Sequence, residues 1–444
     1  MEGANALGLA EAAAAIRDGK VTSEELVKSC LDRIAAFEPE VEAWAHLDPD
    51  VALEQARAID NRRYKGQPIG PLGGVPVGVK DIFDTVDYPT EYGSPIYAGR
   101  QTMKDAACVA RLREAGAVIM GKTVTTEFAV YHPGKTKNPH DPTRTPGGSS
   151  SGSAASVAAF MVPGAVGTQT NGSVVRPASF CGVVGYKPSF GLISRAGALK
   201  QSPPLDQVGT FGRSVADAAL LAEAIIGFDP ADPHTRPAGR PALFDAACAE
   251  VQVPPRLAFV KSPAWDEAED GTKEAFAELC EFLGDRCDEV EIAEVYDEIF
   301  HWHSAVMEAD LAKNFGADFA RAPDKFSAKL TEMVTRGQTV LATDYNIGID
   351  RQADFERGFD ALFQEYDAIL TPSTGGEAPV GLDATGSPAF CTLWTFTGQP
   401  AITLPLMQGP AGMPLGVQLV GQKGDDARLM RTAAWLTATV EAAE

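Results

Sequence analysis

The run Pro146-Gly147-Gly148-Ser149-Ser150-Ser151-Gly152-Ser153-Ala154-Ala155 decides the fold. By composition alone it is a flexible Gly/Ser linker. Its flanks argue against that. An apolar, helix-forming stretch follows at once, Ala154 to Met161. Then comes Gly164-Ala165-Val166-Gly167-Thr168-Gln169-Thr170-Asn171-Gly172-Ser173, which predicts a strand running into a second tight turn. A linker rarely sits between two well-patterned elements. Small residues at such turns let backbone N–H groups converge on one point, a nest for a developing anion. A serine at the end of the turn is a candidate nucleophile, provided a base lies nearby.

The chain has only six histidines, at 46, 132, 140, 234, 301 and 303, and none stands in a recognisable catalytic motif. Lys80 is a different kind of base. It closes the apolar run Val75-Pro76-Val77-Gly78-Val79, and burial there would favour its neutral amine.

Working outward, Thr22 and Glu25 form a T-x-x-E capping box ahead of Leu26, Val27, Leu31, Ile34 and Phe37 at helical spacing, with Pro39 expected to end that helix. A second helix is predicted from about Asp50 to Asn61. Gly73 to Asp81, Asp105 to Glu114 and Ala117 to Met120 then read strand, helix, strand, the βαβ pattern of an α/β fold. Ser214 to Asp217 caps a further helix. Phe228 to Ala242, rich in Pro, Gly and charge, is the best boundary candidate. A new βαβ unit follows: Leu257 to Val260, Thr272 to Leu283, Val290 to Ile292. Residues 298–340 read as irregular helix. Ala368 to Leu370, Ala401 to Leu406 and Gly416 to Val420 read as strands, and Asp426 to Ala443 as a closing helix.

The 444 residues predict about three domains at roughly 150 residues each. A net charge of −22 makes a general nucleic-acid binder or an anionic membrane surface a poor fit, because both need basic residues. No apolar run is long enough to span a bilayer, and Met1 to Gly19 lacks the basic start of a signal peptide. Seven scattered cysteines fit reduced thiols, so a cytoplasmic setting is expected.

The segment Gly147 to Cys181 resembles the amidase signature: a G-G-S-S-[GS]-G-S run, then 24 residues from Ser149 to Ser173 in a second glycine turn. Arg176 to Gly191 continues the pattern. Upstream, Gly73 to Asp81 is similar to that family's G-G-(I/V)-P-x-x-(V/I)-K-D. Downstream, Thr397 to Pro405 and Met413 to Gly421 are similar to its C-terminal motifs.

The resemblance implies a single α/β/α layered domain, residues 1–444, around a large mixed, mostly parallel twisted sheet. It replaces the count of three. Within it lie N-terminal helices (1–64), a signature core (65–228), a variable cover (229–365) and the C-terminal part of the core (366–444).

It also implies a Ser–cisSer–Lys triad. Ser173 would be the nucleophile. Ser149 would follow a cis peptide and relay the proton to Lys80. The backbone N–H groups of Thr170, Asn171, Gly172 and Ser173 would hold the oxyanion. Two departures stand out: Gln169 replaces the usual Asp of the turn, and Asn171 replaces its first glycine. Arg176 stands three residues after Ser173, where members acting on small acidic amides hold the substrate carboxylate. An arginine paired to a carboxylate under the loop is the alternative. Phe128 to Tyr131 and Phe390 to Phe396 would wall the pocket, with Trp394 either stacking on an aryl group or serving as a core aromatic. Trp302, Met307 and Phe315, within 298–345, could form a lid.

Gly148 to Gly152 also satisfies G-x-S-x-G, with Ser150 as nucleophile and His301 or His303 as base. That motif needs a preceding strand, and the proline-rich stretch 138–146 reads as loop. His301-Trp302-His303 could hint at a metal, but residues two apart on a helix point away from each other, so ordinary helix-surface histidines are expected. No metal and no cofactor is expected.

The implied reaction is hydrolysis of the C–N bond of small amides or carbamates (urethanes), with aryl leaving groups. Hydrolysis of small acidic monoamides and an amidotransferase subunit that works in a complex are the alternatives. The expected partner is a small molecule, with no nucleic acid and no membrane, in a monomer or homodimer.

Overall fold

The computed structural model describes residues 3–443. Eleven strands form one sheet: β1 Trp44–Leu47, β2 Pro76–Lys80, β3 Val118–Thr123, β4 Gly164–Gln169, β5 Val184–Lys187, β6 Gln207–Gly212, β7 Leu257–Phe259, β8 Cys287–Glu289, β9 Ala368–Pro372, β10 Ala401–Gln408 and β11 Pro414–Val420. Their order across the sheet is β1-β3-β2-β4-β6-β5-β10-β11-β9-β7-β8.

Helices cover both faces, and the glycines show it. A Cβ on Gly164 would meet Leu9 and Leu221, whereas one on Gly167, three residues along the same strand, would meet Ser150. Successive strand residues point to opposite faces. One face therefore carries the helices Leu9–Arg17 and Val215–Ile225, and the other carries Ser151–Ala158. Burial on both faces explains why β2, β3, β4, β6 and β9 are buried at every residue instead of alternating.

The sheet is mixed, but it is not mostly parallel. Parallel pairing joins β2 to β3 and β4, and β7 to β8 and β9. The other six pairings are antiparallel. For one of these pairs the cause is connection length. β10 and β11 are joined by a short turn that only an antiparallel pair can use, and parallel neighbours need a crossover.

Residues on either side of 228–242 join the same sheet, so this stretch does not separate two sheets. Within the expected cover the predicted strand Leu257 to Val260 is β7, while the second strand, β8, lies at Cys287–Glu289, just ahead of the predicted Val290 to Ile292; the two extend one end of the sheet. The cover's helices Ile299–Arg321, Ala328–Gly337 and Ala342–Arg357 lie beyond them in the chain. Pro39 does not end its helix. Ser23–Val41 continues two residues further and stops at Glu42, whose φ is +53°. There the Glu38 carboxylate accepts from the amides of Ala43 and Trp44, which lead away into β1.

Candidate active site

β2 and β4 are parallel neighbours, so their C-terminal ends lie side by side. Open ends of this kind are where α/β sheets place ligands. β2 ends at Lys80. β4 ends at Gln169 and runs into the turn 170–173. The Gly/Ser run enters the same place just before the helix Ser151–Ala158, and the Gly148–Ser149 peptide is cis.

Lys80 is wholly buried (0% exposed). Its Nζ lies 2.7 Å from Ser149 Oγ and 2.9 Å from Thr168 Oγ1. Burial holds the amine well below the ordinary lysine range, and the Asp206 carboxylate works against this. A neutral amine can donate to Thr168 while its lone pair faces the Ser149 hydroxyl. Ser173 is buried to 6% exposure. The structure records no hydrogen bond between the Ser149 and Ser173 hydroxyls. The pairing Lys80–Ser149 is therefore direct, whereas Ser173 is placed by its turn.

That turn is held from outside. Gln169 Oε1 accepts from the amides of Val174 (2.9 Å) and Val175 (3.1 Å), and its Nε2 donates to Thr395 Oγ1 (2.9 Å). The amides of Thr170, Asn171, Gly172 and Ser173 donate to no acceptor among the described residues. Four consecutive amides are thus left without a protein acceptor. The turn's left-handed residue is Gly172 (φ +78°), and Asn171 needs no such freedom. Asn171 uses its side chain instead: Nδ2 donates to the Tyr131 hydroxyl (3.0 Å), and Oδ1 accepts from Thr392 Oγ1 (2.9 Å).

A cavity of about 530 Å³ meets this turn at Asn171 and is bordered also by Tyr131, Phe300, His303, Gly386 and Thr392; Ser173, Ser149 and Lys80 are not among its lining residues. Of the predicted wall residues, Tyr131 is there. Phe128 is not. It is fully buried and packs against Phe315 (ring centroids 4.8 Å apart) and Phe326 (5.4 Å). Trp394 is not there either. It is fully buried against Phe359 at 5.4 Å. Both rings are large and apolar, and core packing claims them. Met307 and Phe315 are likewise core residues. Trp302 is half-buried, with its indole N–H donating to Glu298. None of the three forms a free-standing lid in this structure.

Arg176 is wholly buried (0% exposed), and burial lowers its pKa. Its guanidinium donates to the Gly148 carbonyl (2.7 Å) and the Gly386 carbonyl (3.0 Å). It touches no carboxylate, so the expected ion pair under the loop is absent among the described residues. It grips the peptide that carries Ser149.

Sequence reasoning missed three groups. Thr168 is the second partner of Lys80. Asp206 is buried, and its carboxyl is pushed up to about 6 by that burial, against hydrogen bonds from Thr170 Oγ1 (2.6 Å) and the Ser202 amide. His303, expected on a helix surface, is 2% exposed and lies with Nε2 3.1 Å from the Thr170 carbonyl oxygen. One signal was available for it. His303 stands four residues after Ile299 and three before Val306, on the buried stripe of its helix. His301 is exposed, so the two rings share no ligand position.

Ser150 is engaged elsewhere, its hydroxyl donating to the Thr168 carbonyl at 3.2 Å, and no strand precedes it. One trio, His46, Asp81 and Glu91, brings possible metal-ligand atoms within 4.8 Å of one another. Asp81 is already paired with Lys122 (3.0 Å) and Glu91 with His46 (3.1 Å). Among the described residues, no helix is long and apolar enough to cross a membrane.

The sequence profile described as Amidase matches residues 25–430. The chain belongs to the amidase family. It is 34% identical to a glutamyl-tRNA(Gln) amidotransferase subunit of Chloroflexus aurantiacus, over 96% of this chain and 95% of that one. It is 35% identical to the protein of the same name from Thermobifida fusca, over 98% and 96%. Among solved structures, the peptide amidase of Stenotrophomonas maltophilia superposes with a TM-score of 0.85 at 28% identity, covering 98% of this amidase-family chain and 97% of its own. A protein of a vestigial complex that reveals the origins of an s-triazine catabolic enzyme superposes with a TM-score of 0.90 at 27% identity, covering 98% of each chain. The family members share the α/β architecture with its large mixed sheet.

Proposed function

We propose that the chain is a hydrolase of small amides or carbamates, aryl leaving groups included, acting through a Ser173 acyl-enzyme. The buried Lys80 amine, 2.7 Å from Ser149 Oγ beside a turn of four free amides, carries this reading. Neutral Lys80 takes the proton of Ser149, which takes that of Ser173. The Ser173 oxygen attacks the carbonyl carbon, and the amides of residues 170–173 stabilise the oxyanion. One such donor is worth about 3–4 kcal/mol. The proton returns through Ser149 to the departing nitrogen, the C–N bond breaks, and water then hydrolyses the ester. In this reading Arg176 positions the Ser149 peptide, and the cavity takes the substrate. The reaction uses this chain's own side chains and backbone amides, in a cytoplasmic setting.

A second reading is an amidotransferase component, which the full-length similarity to the Chloroflexus and Thermobifida proteins favours. The net charge of −22 does not weigh against it, because the charge of one chain says nothing of an assembly in which another chain meets the RNA.

The test is a panel of a p-nitroanilide, an aryl carbamate and a dicarboxylic acid monoamide, offered to the purified chain and to Ser173→Ala and Ser150→Ala. Turnover by the chain alone, lost only in Ser173→Ala, is the expected result. Loss only in Ser150→Ala would sink the assignment. Turnover of the monoamide alone would select the acidic substrate; Arg176→Ala does not decide this, because it also releases the Ser149 peptide. Strict dependence on a glutaminase or tRNA partner would select the amidotransferase.

A further inference from the structure

His303 lies in the variable part of the chain, outside the proton relay, yet it meets both the nucleophile turn and the cavity. Its Nε2 is 3.1 Å from the Thr170 carbonyl oxygen, which can only accept, so Nε2 carries a hydrogen. Burial pushes the imidazole down to about 4, so the ring is neutral near pH 7 and carries one N–H. That N–H is spoken for, and Nδ1 is left as a bare lone pair. Nδ1 accepts no hydrogen bond from any described residue and is not among the sealed, unpartnered polar atoms. The residue borders the cavity beside Asn171 and Tyr131.

We propose that His303 Nδ1 accepts an N–H of the substrate carboxamide, making His303 a specificity-determining residue that favours amides over the matching esters. This rests on the hydrolase reading above. An ester brings an oxygen lone pair to the same place, so Nδ1 stays unpaired and faces a second acceptor. A site built to pair with an N–H rejects the analogue that lacks it. The contact with Thr170 acts on both substrates alike, because it helps hold the peptide whose other end is the Asn171 N–H. The ratio of the two substrates therefore isolates Nδ1.

The experiment measures kcat/KM for the primary amide and the methyl ester of one small carboxylic acid, on the wild-type chain, His303→Phe and His303→Gln. In His303→Phe the amide-to-ester ratio falls by about three- to ten-fold, the worth of one neutral hydrogen bond. In His303→Gln, which keeps an N–H for Thr170 and an oxygen for the substrate, it stays within about two-fold of wild type on the same scale. If His303→Phe does not fold, His303→Leu reads the same ratio. An equal fall for both substrates overturns the inference and leaves the hydrolase reading standing. A wild-type chain that turns over the p-nitroanilide or the aryl carbamate but neither of this pair overturns the inference alone; one that turns over none of them overturns both.

Discussion

Gln169 is the residue from which the Ser173 turn hangs, and Gln169→Leu would cut it loose. The change keeps the side chain close to its volume and removes three hydrogen bonds: two from the Val174 and Val175 amides and one to Thr395. Gln169, Val174 and Val175 are all fully buried, so no bulk water replaces the lost acceptor. Each buried amide left unpaired costs about 1–3 kcal/mol, or about 2–6 kcal/mol for the two. That is a large part of a typical stability of about 5–15 kcal/mol. The two amides open the helix Val175–Cys181, directly after Ser173. If the helix start shifts by about 1 Å, the nucleophile moves with it, and a displacement of that size costs on the order of 10²-fold in rate. Gln169→Glu keeps an acceptor for both amides, as the Asp expected at this position in the family would, and should hold most of both quantities. The assay pairs urea unfolding with kcat on a simple amide for the three proteins. A Leu variant with an unchanged midpoint and full kcat would refute the idea that Gln169 holds the turn.

Two further predictions concern protons. Lys80 works as the neutral amine, so activity is lost as pH falls through its pKa, and the Asp206 carboxylate raises that pKa. Asp206→Asn should therefore move the acid limb of the kcat/KM profile to lower pH, and a limb that stays put or rises would show that the two groups are not coupled. His303 is neutral in the folded chain down to about 4, whereas an unfolded histidine takes its proton at about 6.5. Between those values only the unfolded chain binds the proton, so this group removes stability as pH falls from about 6.5 to 4 and removes none above pH 7. The full loss is about 3 kcal/mol. The destabilisation caused by His303→Phe should shrink by that order between pH 7 and pH 4, as read by urea midpoints. A cost that does not change with pH would mean the ring is not held neutral.

Much of the site was legible because its logic is local. Lys80 closes an apolar strand and Ser173 ends a glycine turn, so each is marked by its own neighbours, whereas Ser149 is picked out of its Gly/Ser run by the amidase resemblance. The free amides of 170–173 follow from the same turn. Other residues carried no such mark. Phe128 and Trp394 looked like pocket walls because aromatic residues near motifs often are, but nothing local says whether a ring faces a cavity or a core. His303 looked like a surface histidine because its partner, the Thr170 carbonyl, is 133 residues away.

The sequence by itself determined the α/β class, the amidase resemblance and the positions of the lysine and the two serines, since short-range spacing specifies strands, turns and the groups at their ends. Only the tertiary structure decided which strands run antiparallel, that Arg176 grips the Gly148 and Gly386 carbonyls with no carboxylate in reach, and that Asp206 and His303 close in on Thr170. Those outcomes depend on desolvation and pairing between segments far apart in the chain. Such contacts set a group's charge and its partners, and they exist only once the sheet has brought the segments together.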